Sequence, residues 1–503
     1  VRKKLPNIIL MVLDTVSAKH LSLYNYHRPT TPNLERIAQE CNVYSRCFAP
    51  ACWTVPSHAS LFTGLYPSQH GVFENNYLLR ENLPHLVPIL KASGYRTMGI
   101  STNSLVSPAS GLCRGFDEFH DLGFRDFSRI LGGLEGRDPY ENTDPGTLAA
   151  HLRSAVSAPD AAGHLFRYLR ETGQAGEVLQ ASWKMATKQV ARWLRPHPID
   201  NTTPYTKKSV GLIKDMLQRR RSAESPFFLF VNILQAHQNY CPPWRWRRFS
   251  HWHDRAAASP QKFYFQEASP AQARLVATYQ NLYDDELRYL DAVIGHLWEL
   301  FENASLFEDT VVIITSDHGE HFGERGHYTH ILSLYNELIW VPLIMRLPRS
   351  LAQPGTDGRL VSLNDLYATI LDLVDSPMPR PESSFSLLAP AQRDLAVAQC
   401  LYPEMWQTYL ASKQALSQAR GETFSPPLFA VITDSGLKLI ENRNSSLEIY
   451  DLKESLVETR NLAPSLSPGV LGNYRKLLDT LKVETGFYEV RNDLLASAGQ
   501  RAA

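Results

Sequence analysis

The run "PNIILMVLD" (residues 6–14) is almost continuously apolar and aliphatic and ends on a carboxylate. A strand with one wet face would alternate polar and apolar side chains, so this pattern predicts a parallel strand buried on both faces. Two further runs share it. "DTVVIITSDHG" (309–319) ends at Ser316, Asp317 and His318, and "PFFLFVNILQAH" (226–237) ends at His237. Buried strands that each finish on polar, metal-capable groups predict a common site, because ligands of open α/β sheets bind beyond the carboxyl ends of the strands.

Outward from these strands the period changes. Leu290, Ile294, Leu297 and Phe301 recur at helical spacing ahead of the second run, and "TTPNLERIAQE" (30–40) opens with Thr and Pro where a helix starts. Alternating strands and helices predict a doubly wound α/β core. Residues 121–222 lack strand runs and carry basic helical stretches such as "SWKMATKQVARWLR", which predicts a helical insertion. After residue 385 come short strand candidates, "LFAVITDSGLKLIE" and "LEIYDL", and then a helical "LGNYRKLLDTLK". The expected organisation is a catalytic α/β domain over 1–385 and a smaller α+β subdomain over 386–503.

Composition narrows the function classes. The 503 residues are 44% hydrophobic and 20% charged, enough to bury a sizeable core. Lys plus Arg and Asp plus Glu balance at 51 each, so no global charge draws the chain to nucleic acid. Cys41, Cys47, Cys52, Cys113, Cys241 and Cys400 show no CxxC pair or framework spacing, which predicts reduced thiols and a cytoplasmic location. No run reaches the roughly 18 apolar residues of a membrane span. "PPWRWRRFSHWHDR" (242–255) interleaves Arg with Trp, which fits an anionic substrate, a peripheral contact with lipid headgroups, or a solvated basic loop.

The segment "CWTVPSHASLFTGLYPSQHGV" (52–72) bears most on chemistry. Pro56 suits the first turn of a helix and Gly64 its end, which puts Thr54 just before the helix N-terminus. Unpaired N–H groups and the helix dipole favour an anion there, and a metal-activated hydroxyl could attack a phosphoryl or sulfuryl centre. A simple Thr N-cap would have the same local sequence.

The stretch "TVPSHASLFTG" (54–64) resembles the sulfatase signature C-x-P-S-R-A-S-L-x-T-G. "PNIILMVLD", "VIITSDHGE", "HILSLYNELIWVPLIMRLP", "VSLNDLYATILDLV" and "IYDLKESLVETRNLA" continue the resemblance in family order and leave the 121–222 region unmatched. The resemblance is to the sulfatase-like branch of the alkaline phosphatase superfamily. It implies a single divalent-metal site at Asp14, Thr54, Asp317 and His318, with Mn²⁺ or Zn²⁺ favoured and Ca²⁺ compatible. The family's usual second Asp is Thr15 here, and no complete second Asp/His set is evident, with His237, His327 and His330 as the nearest candidates. Thr54 stands where sulfatases carry the Cys that becomes formylglycine, and Cys52 is out of register with it. A Thr nucleophile resembles the phosphate-handling relatives, such as phosphonate monoester hydrolases and single-metal transferases.

By the same resemblance His237 and His330 are catalytic candidates, one beside the leaving group and one beside the substrate oxyanion. His58, in place of the motif Arg, and Asn75, Asn76 and Asn103 are substrate-binding candidates. The implied activity is hydrolysis of a small anionic ester, a phosphate diester or phosphonate monoester, through a covalent Thr54 intermediate. Sulfate ester hydrolysis and group transfer to an alcohol or amine are the alternatives. Ser17 and Lys19 depart from the Arg and Asp of close relatives, which would suit a non-catalytic protein.

Overall fold

The computed structural model describes residues 4–73, 76–123, 203–220, 225–252, 254, 270–348, 354–401, 428–442 and 446–488. Its centre is an eight-stranded sheet built from β1 (Asn7–Leu13), β2 (Asn42–Phe48), β3 (Arg96–Ser101), β4 (Glu118–Asp121), β5 (Phe227–Ile233), β6 (Thr310–Thr315), β9 (Leu343–Arg346) and β10 (Gly355–Ser362). A short hairpin of β7 (His321–Phe322) and β8 (Tyr328–Thr329) interrupts the chain between β6 and β9. The spatial order is β10-β2-β9-β6-β1-β5-β3-β4, parallel throughout except that β9 runs antiparallel to both neighbours.

The three apolar runs occupy the middle of this sheet. β5, β1 and β6 lie side by side, and every residue in them is buried. That environment is what a run without polar alternation requires. Their register is in phase: Leu13 pairs with Ile233 and Val12 with Thr315. Asp14 and Asp317 therefore leave two adjacent parallel strands at the same level. The sheet builds outward from β1 in both directions, which is the crevice position expected of a ligand site.

The helix Thr54–Thr63 begins two residues earlier than its Pro56 suggests, so Thr54 is its first residue rather than the one before it. Gly64 ends it at φ 75°, in the left-handed region, with its N–H bonded to Ser60 O at 2.8 Å. The helix Pro32–Ala38 starts at the predicted Thr-Pro pair. Leu290, Ile294, Leu297 and Phe301 line the buried face of one long helix, Pro270–Asn303.

The C-terminal part forms a second sheet, antiparallel, of β11 (Leu395–Cys400), β12 (Leu428–Thr433), β13 (Leu437–Glu441) and β14 (Leu447–Asp451), followed by the helix Pro468–Glu484. Phe429, Val431, Leu439, Ile449 and Leu478 give it a small core of its own. The described residues belong to one compact unit. Of the 121–222 region, residues 124–202 and 221–222 lie outside the described residues; the helix Thr203–Arg220 is described and bonds through Thr206 to Gln235. Among the described residues no helix is long and apolar enough to cross a membrane. Cys41, Cys47 and Cys52 are buried free thiols.

Candidate active site

Four strand ends converge here. β1 delivers Asp14, β6 delivers Asp317 and His318, β3 leads to Asn103, and β5 carries Asn232 and leads to His237. The ligand atoms of Asp14, Asp317 and His318 all lie within 4.8 Å of one another, and all three residues are buried. Thr54 Oγ1 is 3.3 Å from His318 Nε2 although 264 positions separate them in sequence.

The imidazole of His318 is oriented from behind. Its Nδ1–H donates to Gly319 O at 2.9 Å, which leaves the Nε2 lone pair facing Thr54 and the carboxylates. Gly319 has no room for a side chain, because a Cβ there would lie 2.1 Å from Glu337 O and 2.8 Å from Ser17 Cβ. Asp317 Oδ1 accepts the backbone N–H groups of Thr15 at 3.3 Å and His318 at 3.0 Å. Thr15 sits at φ 60°, a strained position for a β-branched residue. Tyr283 holds this turn, donating to Thr15 O at 2.8 Å and accepting Ser17 N–H at 3.1 Å.

Two buried oxygens, Asp14 Oδ1 and Asp317 Oδ2, have no hydrogen-bond partner. Burial and the facing Asp14 carboxylate push the Asp317 pKa well above the usual carboxylate range. Two unsatisfied carboxylate oxygens beside an imidazole lone pair and a hydroxyl are what a divalent cation would neutralise, so the residues present fit a metal. Asp14, Asp317, His318 and Thr54 are the groups that could hold it, and among the described residues theirs is the one such cluster.

The remaining candidates fall in different places. Asn103 Nδ2 donates to Asp14 Oδ2 at 2.7 Å, so it orients a carboxylate of the cluster. His58 is fully buried one helical turn after Thr54; its Nδ1–H donates to Thr54 O at 2.9 Å and lies 3.6 Å from Asp317 Oδ2. Burial holds its pKa below the ordinary value, which favours the uncharged ring beneath Thr54. Asn76 bonds inside its own turn, to Gly71 O and Phe73 O, and Asn75 lies outside the described residues. The rings of His237 and His318 both contact His330, each at 4.8 Å between centroids. His327 stacks on His321 instead.

Three participants were missed from sequence. Asn232 Nδ2 reaches Asp14 Oδ2 and His58 Nε2, each at 3.4 Å, and the one signal for it was an Asn in an otherwise apolar strand. Glu320 Oε1 is 3.3 Å from His330 Nδ1, while Tyr240 donates to Glu320 Oε2 at 2.8 Å. Burial alone would lower the His330 pKa, but the Glu320 carboxylate overrides it and raises the value above normal. His237 goes the other way, held down by burial and by the neighbouring His330. Glu320 also borders a small pocket lined by Tyr240, Tyr279, Phe322 and Tyr328.

Residues 6–376 match the family model described as Sulfatase. The chain belongs to the sulfatase family. It is thus a sulfatase-like hydrolase of the alkaline phosphatase superfamily. It is 24% identical to an N-acetylglucosamine-6-O-sulfatase of Bacteroides thetaiotaomicron over 76% of this chain and 70% of that protein. It is 23% identical to the uncharacterized sulfatase YidJ of Escherichia coli over 91% and 83% of the two chains. Among solved structures the phosphonate monoester hydrolase of Agrobacterium radiobacter superposes with a TM-score of 0.64 at 18% identity, covering 95% of this chain and 96% of that one, which establishes a shared fold. The backbone N–H of Ser17 meets Tyr283, and Lys19 pairs with Glu324 and Glu337.

Proposed function

We propose that this sulfatase-family hydrolase cleaves phosphate diesters or phosphonate monoesters through a covalent ester on Thr54. The observation that carries this is the plain hydroxyl of Thr54, at the position of the formylglycine precursor, 3.3 Å from His318 Nε2 and beside the two orphaned carboxylate oxygens. In the first step Thr54 Oγ1 bonds to phosphorus and the bond to the leaving oxygen breaks. In the second, water attacks the same phosphorus and releases the Thr54 hydroxyl. A divalent ion held by Asp14, Thr54, Asp317 and His318, with Mn²⁺ or Zn²⁺ favoured, would lower the hydroxyl pKa and neutralise charge on the transferred group.

The two outer histidines divide the remaining work. We assign His330, whose pKa the Glu320 carboxylate raises, the transfer of a proton to the leaving oxygen, a role the sequence resemblance gives to His237. His237, kept neutral, serves as a hydrogen-bonding partner beside it. Asn103 and Asn232 fix Asp14, and His58 fixes the first turn of the nucleophile helix. A sulfated Thr54 would lack the hemiacetal route by which formylglycine expels sulfate, which disfavours sulfate turnover.

A second reading, sulfate ester hydrolysis, is favoured by the names of the curated relatives. The deciding experiment compares kcat/KM for an aryl phosphate diester, an aryl phosphonate and the matching aryl sulfate at one pH with saturating Mn²⁺. We expect the phosphorus esters to be preferred. A clear preference for the sulfate, with no modified residue at the site, would refute the phosphate assignment, and a product carrying the group on an added alcohol would indicate transfer.

A further inference from the structure

Trp244 and Trp252 are 75% and 74% exposed, the two most exposed large apolar side chains among the described residues. Both belong to the loop of residues 242–252, which follows His237 on the carboxyl-end side of the sheet. Indoles are ordinarily buried or half-buried, so two presented to solvent within one loop call for a partner surface.

The loop is held rigid from beneath. The buried Asp285 carboxylate accepts the backbone N–H groups of Arg248, Phe249 and Ser250 at 2.7, 3.0 and 2.9 Å and the Ser250 hydroxyl at 2.6 Å. Arg247 straps the loop across its base, donating to Pro242 O, His251 O and Asp254 O. Trp246 turns inward against Tyr289 at 6.0 Å between centroids. Trp244 and Trp252 are therefore displayed by a built scaffold, and little ordering entropy remains to be lost when they bind.

The charged side chains of residues 242–252 are all arginines, and the acid that follows, Asp254, accepts the His251 N–H at 2.7 Å. Arg245 and Arg248 are exposed, and neither guanidinium has a carboxylate partner among the described residues; Arg245 instead lies over the Trp244 ring at 5.4 Å. Asp285, a second acid beneath the loop, is buried and bonded to the loop backbone. Indole rings flanked by unpaired arginines match the headgroup layer of an anionic bilayer, where Trp settles at the interface and Arg meets lipid phosphate. A small soluble anion would use the arginines and leave both indoles in water.

We propose that residues 242–252 form a docking surface for anionic membranes, with Trp244 and Trp252 entering the headgroup layer and Arg245 and Arg248 contacting lipid phosphates. The test is co-sedimentation of the full-length protein with vesicles of phosphatidylcholine alone and of phosphatidylcholine mixed with phosphatidylserine. Binding is expected to the anionic vesicles, weakening as salt rises. Trp244→Ser with Trp252→Ser should lower the partition coefficient about 10-fold or more. Arg245→Gln with Arg248→Gln should lower it about fivefold per charge removed. Turnover of a soluble aryl ester should be unchanged in both variants, which shows that the fold is kept. Three results would overturn the proposal: no binding by the unsubstituted protein, binding that both double variants retain, or loop-dependent capture of a soluble sulfated polysaccharide without capture of vesicles.

Discussion

Two clusters of buried charge, close together in the fold, are built on opposite principles. Around Lys438 three cations and three carboxylates interlock. Lys438 Nζ lies 2.5 Å from Glu458 Oε1 and donates to Leu334 O and Asn336 Oδ1, each at 2.7 Å. Arg325 joins Glu458 to Glu337, and Lys19 joins Glu337 to Glu324 at 3.0 and 2.6 Å. Beyond β1 and β6, by contrast, Asp14 and Asp317 face each other with one oxygen apiece unbonded and, among the described residues, no Lys or Arg paired to either. The closed cluster ties the second sheet to the segment after β6. The open one is short of positive charge and can be completed only from outside. The two touch through Gly319, whose N–H donates to Leu338 O at 2.7 Å, next to Glu337. Balanced charge here is architecture that positions the site, and unbalanced charge marks where a ligand belongs.

That contrast is sharpest at Thr54. Thr54→Ala should reduce turnover at least about 10⁴-fold with an unchanged melting temperature, and Thr54→Ser should restore part of it. Wild-type rates in the Ala variant would break the assignment. Next comes Asp317→Asn, expected to lower activity at least about 10³-fold and to abolish metal-dependent stabilisation. Its stability without metal should nonetheless rise. The folded-state pKa of Asp317 lies above its unfolded value, so at neutral pH the carboxylate opposes folding, and the amide removes that cost. A destabilised metal-free variant, measured by urea melts, would contradict the open-cluster description.

The closed cluster should behave in the reverse sense. Lys438→Met strands the buried Glu458 and is expected to cost about 3–5 kcal/mol of stability. Chemistry should suffer only through loosening of the 319–338 contact, which urea melts and kinetics on the folded fraction can separate. A divalent ion at a hundredfold excess over its Kd should stabilise the unsubstituted protein by about 2.7 kcal/mol, and a chelator should reverse this. Tyr283→Phe is the mildest case. Losing its bonds to Thr15 O and Ser17 N should cost about 1–3 kcal/mol, with a modest fall in kcat.

The open cluster was largely legible in the sequence because its members sit at the ends of unmistakable strands. Asp14, Asp317, His318 and His237 each close an apolar run, and Thr54 lies in a segment with its own helix signals. The closed cluster was not legible. Lys19, Arg325, Lys438 and Glu458 occur in separate elements, none with a local pattern, and they meet only through tertiary packing. Asn232 stands out as the one polar residue of an apolar strand, but nothing in the strand pattern says that it faces Asp14. The antiparallel course of β9 and the strand β11 were also unforeseen, since apolar runs this short do not encode direction or neighbours.

The central claim is that Thr54 becomes covalently loaded with phosphorus. It is tested most directly by acid-quenching the metal-loaded enzyme during turnover of an aryl phosphonate and mapping the adduct by peptide mass spectrometry. The account predicts a phosphonyl ester on Thr54, absent from the Thr54→Ala protein and lost on a chase with water. An adduct on another residue, or an aldehyde at Cys52 with Thr54 unmodified throughout turnover, would contradict it.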